Sequence, residues 1–77
     1  MEVSLAQLAI GKSGRITRME GGVMFQGKMA SLNIRIGKEV RRVVSQPFRG
    51  PVVIEINKRR ITLGRGMAMR IFVEAGE

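Results

Sequence analysis

Cysteine, histidine, aspartate, tryptophan and tyrosine are all missing from this chain of 77 residues. Without Cys there is no disulfide staple and no thiolate ligand or nucleophile. Without His there is no imidazole ligand or general base, so no Cys- or His-based catalytic pair can be assembled. The six acidic residues are all glutamate, at 2, 20, 39, 55, 74 and 77. No apolar run approaches the roughly 18–20 residues that a membrane-spanning helix needs. The opening MEVSLAQLAIGKSG has an acidic second residue and no basic n-region, unlike a signal peptide. These absences predict a cytoplasmic, non-enzymatic protein folded as one domain over residues 1–77, with a core only just large enough for its length.

What is present is positive charge. Fourteen Lys and Arg give a formal net charge of +8, which speeds encounter with nucleic acid, an anionic membrane surface or an acidic protein. The order of elements follows from local signals. Ser4 and Gln7 match a capping box, predicting one helical turn that presents Leu5 and Leu8 to the core before Gly11. Ser13 to Glu20 reads as a strand, but Ile16 and Met19 are three apart, so a bulge is expected. After Gly21-Gly22 a helix is predicted from Val23 to about Leu32, with Phe25, Met29 and Leu32 on one face. Asn33 and Gly37 tolerate positive φ and turn the chain into a basic strand over Glu39 to Ser45. Gln46-Pro47 and Arg49-Gly50-Pro51 are turn signals. Val52, Ile54 and Ile56 alternate cleanly with Val53 and Glu55, and Asn57-Lys58 closes a hairpin back through Ile61 and Leu63. Met67 to Arg70 forms a turn, and Ile71 to Glu74 a last strand. The expectation is a mainly β chain: about five short antiparallel strands and one or two short helices, in a sheet bent until it closes on itself.

Three fragments in order carry a resemblance. Leu5-x-x-Leu8-x-x-Gly11-x-x-Gly14-x-Ile16 resembles the opening of ferrous iron transport protein A, a small component of the bacterial ferrous iron uptake system. Leu32-Asn33-Ile34-x-x-Gly37-x-x-Val40 is similar to that family's Leu-Gly-Leu-x-Pro-Gly-x-x-Val, with Asn33 in place of Gly and Ile36 in place of Pro. Ile61-x-Leu63 followed by Met67 to Val73 is similar to its closing strands. The resemblance implies an SH3-like barrel and a cytosolic accessory to a membrane GTPase iron permease. The same fold closes iron-dependent repressors, so a stand-alone relative of that domain is an alternative reading; with Met1 opening the domain and no helix-turn-helix before it, the transport component is the expectation.

For iron itself the ligand set is poor: scattered Glu amid excess cations, and six Met better suited to packing. No metal site and no cofactor are expected, and the glycine pairs lack the setting of a phosphate loop. Two groups are candidate partner contacts. Met24 and Phe25, beside the glycine pair, either pack at the end of the barrel or touch the permease. Arg41, Arg42, Lys58, Arg59 and Arg60 are either a solvated rim or a docking face for an acidic partner or an anionic leaflet. Nucleic acid is the competing partner, disfavoured because only three Phe could serve as stacking platforms.

Overall fold

The computed structural model describes residues 1–43 and 50–75. In chain order the elements are β1 (Glu2–Ser4), β2 (Ser13–Met19), α1 (Val23–Ser31), β3 (Glu39–Arg42), β4 (Val52–Ile56), β5 (Arg59–Leu63), α2 (Arg65–Ala68) and β6 (Ile71–Ala75). The strands form one antiparallel sheet in the order β1-β6-β2-β3-β4-β5. Alternation builds it: Val52, Ile54 and Ile56 are buried while Val53 and Glu55 are less so, and Ile71 and Val73 do the same for β6.

Val3 near one edge and Leu63 at the other belong to the same apolar cluster, with Ile16, Val40, Ile54 and Val73 between them. Five strand spacings of about 4.8 Å would hold the edges of a flat sheet about 24 Å apart. They share one core because the sheet curls around it. Part of the curl comes from β2, where Ile16 faces Val73 and Arg18 faces Phe72, leaving Thr17 bulged out of the ladder. This is the break in alternation between Ile16 and Met19. Just before it, Gly14 lets β2 approach β6 closely: a Cβ there would lie 2.9 Å from Val73 Cγ2 and 3.0 Å from the Glu74 carbonyl oxygen.

Among the described residues six strands are present where the sequence predicts about five. The extra one, β1, is three residues long and too short to show a period. It is held by β6, with Ala75 N–H donating to the Met1 carbonyl at 3.0 Å and Leu5 N–H to that of Ile71 at 2.9 Å. The capping box then forms in full. Gln7 N–H donates to Ser4 Oγ at 3.2 Å and Ser4 N–H donates to Gln7 Oε1 at 3.0 Å. One turn results, burying Leu5 and Leu8, and no helix continues from it.

The corner after α1 is closed by two hydrogen bonds. Asn33, at φ 65°, donates its N–H to Ala30 O, and Ile34 donates to Met29 O, both at 2.9 Å. That is the Schellman arrangement, with buried Met29 and Ile34 as its apolar pair. Asn serves where Gly is usual because it is among the few other residues that tolerate this conformation. Arg35 to Lys38 form a second turn, with Lys38 N–H donating to Arg35 O at 3.1 Å and Gly37 at φ 94°. Positive φ at the third residue makes it type II, whose second position suits Pro and here holds Ile36. Between β4 and β5, Asn57 and Lys58 both have positive φ, 53° and 65°, giving the type I′ turn expected of a two-residue hairpin. The single turn expected at Met67 to Arg70 is α2, shifted to Arg65–Ala68. The expected end of β3 near Ser45, together with Gln46-Pro47 and Arg49, lies outside the described residues.

Candidate functional site

The hairpin between β4 and β5 carries the densest cationic group. Lys58, Arg59 and Arg60 are all exposed at its tip. On the outer face of the sheet, Arg41 of β3, Glu55 of β4 and Arg60 of β5 lie in one row across the strands. Glu55 sits between two arginines and pairs with Arg41, whose Nη2 donates to Glu55 Oε1 at 2.9 Å. One carboxylate cannot neutralise both, so the row keeps a net positive charge. The pair is solvent-exposed and contributes at most about 1 kcal/mol to stability, so its arginines remain available to a partner.

Arg42 does not belong to that face. It is only 7% exposed, on the inner side of β3, and its Nη1 donates to the carbonyls of Ala6 and Leu8 at 2.9 and 3.0 Å. Its main chain bonds the same segment: Gly11 N–H donates to Arg42 O, and Arg42 N–H donates to Lys12 O. Burial, reinforced by the like charge of Arg65, pushes its pKa down, and its Nε finds no acceptor. Arg42 is a clamp between β3 and the first turn, and its placement corrects its assignment to the docking face. Adjacent arginines in a strand point to opposite faces, so a period-2 reading of β3 separates them.

At the start of α1 the two candidates also divide. Met24 is 89% exposed and Val23 88%. Phe25 is half-buried against the core, and the Arg70 guanidinium lies 5.7 Å from its ring centroid. Met24 is thus a free apolar tip, and Phe25 is largely a packing residue.

Two features were not singled out from the sequence. Arg15 Nη1 donates to the Gly37 carbonyl at 3.2 Å, which brings Arg15 beside the turn holding Arg35 and Lys38, with exposed Ile36 at its second position. Further along β2, Thr17 Oγ1 donates to Glu2 Oε2 at 2.7 Å, and Arg18 lies between Glu2 and Glu20 and stacks 3.9 Å from the Phe72 ring centroid. The Thr17 hydrogen bond, with Arg18 nearby, holds the Glu2 carboxyl below its ordinary pKa, and the Glu20 and Glu2 carboxylates raise that of Arg18. This network sets two carboxylates against one guanidinium, whereas the hairpin tip keeps an excess of cations. Among the described residues no three Glu side chains come together, and no helix is long and apolar enough to cross a membrane.

Residues 3–75 match the model of a family described as the FeoA domain. A Methanocaldococcus jannaschii protein, provisionally named Fe(2+) transport protein A, is 33% identical over 73 residues, covering 91% of this chain and 87% of that one. The crystal structure of an iron uptake regulatory protein, FeoA, superposes with a TM-score of 0.90 at 28% identity, covering 99% of this chain and all of that one. Stenotrophomonas maltophilia FeoA, solved with zinc and described as a procaryotic SH3 domain protein, gives 0.78 at 21% identity over 94% of this chain and 89% of that one. The SH3-like fold expected from the sequence is therefore the fold observed. A manganese-dependent transcriptional repressor shares that fold, with a TM-score of 0.87 at 21% identity, but the match spans 42% of its chain.

Proposed function

We propose that this chain, which belongs to the FeoA domain family, is an accessory protein of ferrous iron uptake that acts by contact with a membrane GTPase iron permease. The observation that carries this reading is the near full-length similarity to a relative named for Fe(2+) transport. The chemistry of the surface supports contact over catalysis. Without His, Cys or Asp, a nucleophile–base pair would have to come from the remaining Lys, Ser, Thr and Glu. Three exposed cations adjoin at the hairpin tip, and Arg41 extends them across the neighbouring row. Iron is then the cargo of the partner, and this chain supplies a basic surface and an apolar helix tip. On this reading the protein works at the cytoplasmic face of the membrane.

Affinity capture from membranes containing the permease tests this. At low salt the GTPase permease co-purifies with the tagged chain, and release accompanies rising salt because the contact is electrostatic. Absence of the permease at low salt would overturn the reading. Met24→Glu isolates the helix tip: since Met24 is almost fully exposed, its melting temperature should hold while capture falls.

A further inference from the structure

β5 stands at one end of the strand order, so its backbone pairs with β4 on one side and, among the described residues, with no strand on the other. Ile56 and Arg59 close the two-residue turn as a hydrogen-bonded pair. Bonded and non-bonded pairs alternate along an antiparallel ladder, so Ile54 with Ile61 and Val52 with Leu63 are bonded as well. The N–H and C=O groups of Arg60 and Thr62 therefore point away from the sheet. Beside this edge runs a groove of about 230 Å³, with Ser31, Leu32 and Asn33 from the end of α1 on one side and Arg59, Arg60 and Ile61 on the other.

We propose that this edge accepts an acidic, extended segment of the protein partner as a further strand of the sheet; the inference rests on the reading of the chain as a contact protein. Three observations converge on that occupant. The outward backbone groups of Arg60 and Thr62 match those of an extended peptide, as in other strand-addition complexes. Arg59 and Ile61 project to the groove side and Arg60 to the outer face. A segment whose acids alternate with apolar residues therefore sets its acids against Arg60 on one face and its apolar side chains against Ile61 and the aliphatic stem of Arg59 on the other. Neither Arg59 nor Arg60 forms an ion pair among the described residues. The same two charges oppose pairing of β5 with β5 of a second copy, the usual hazard of an open edge.

The probe is the acetylated and amidated pentapeptide Glu-Val-Glu-Val-Glu, titrated into the intact, isotopically labelled chain. Saturable binding should raise amide-exchange protection about tenfold or more at Arg60 and Thr62, with little change at Arg59 and Ile61, which are already bonded. Thr62→Pro removes one outward donor at an edge position that tolerates Pro, and should weaken the peptide about tenfold. A peptide methylated on alternate backbone nitrogens tests the same point without altering the fold. Arg59→Glu with Arg60→Glu should lower affinity for this peptide and raise it for the Lys-Val-Lys-Val-Lys counterpart. No saturable binding, undiminished binding of the methylated peptide, or equal binding of a Gln-Val-Gln-Val-Gln peptide would each overturn the proposal. So would an oligothymidylate that protects the same amides more strongly, which would assign the edge to nucleic acid. Permease capture is read in separate samples, so it can succeed while strand addition fails.

Discussion

At the scale of single residues, two positions show how local chemistry is resolved by its setting. Ile36 occupies the second position of a type II turn, and among the described residues no hydrogen bond uses its N–H. Proline there would match the turn and restrict the unfolded chain. Ile36→Pro should therefore stabilise the fold by about 0.4–1 kcal/mol, seen as a higher denaturant midpoint with unchanged slope. Arg42 is the opposite case, a buried cation whose removal has terms of both signs. Replacing it with Met relieves a buried charge with an unpaired Nε, but leaves the Leu8 and Ala6 carbonyls without their donor. The Leu8 bond is buried, and an orphaned buried acceptor costs about 1–3 kcal/mol. The lost acceptors outweigh the gain because a guanidinium keeps its charge even when burial lowers its pKa, so both carbonyls lose a charge-assisted donor. Arg42→Met should destabilise by about 1–2 kcal/mol, measured by equilibrium unfolding.

At the scale of elements, the same change has opposite signs in strand and helix. Gly14→Ala places a methyl group against Val73 and the Glu74 backbone, forcing β2 and β6 apart at a cost of about 1–3 kcal/mol. Gly27→Ala, mid-way along α1 with open space around its Cβ, should gain about 1 kcal/mol from helix propensity. Thermal melts of the two variants should move in opposite directions. Much at this scale is legible in the sequence. The capping box, the bulge after Ile16, the corner at Asn33 and the Asn57-Lys58 turn all depend on residues within a few positions of one another. β1 is not legible, because three residues carry no period and their order comes from β6, about seventy residues away.

At the scale of the whole molecule, charge dominates. Fourteen cations face six carboxylates, so even complete pairing leaves a large excess to repel itself. Such repulsion lowers the stability of the compact state, and salt screens it over about 10 Å at 0.1 M. Exposed ion pairs such as Arg41–Glu55 weaken in salt too, but each contributes little. The melting temperature should therefore rise with sodium chloride between about 0.02 and 0.3 M, followed by circular dichroism. A fall would mean that the ion pairs outweigh the repulsion. The same excess sets the character of the candidate site: a rigid hairpin whose cations are not cancelled by their neighbours.

The sequence by itself determined the antiparallel β class and its turns, because these follow from periodicity and short-range backbone preferences; the family came separately, from the resemblance of three fragments. It also placed the basic residues along the chain. Only the tertiary structure decided which of them face outward. Arg41 and Arg42 are neighbours in the strand, yet one lies in the outer row and the other clamps the first turn from within. The edge beside Arg60 belongs to no short segment either. It exists because β5 comes last in the strand order, which is set by long-range pairing as the sheet curls around its core.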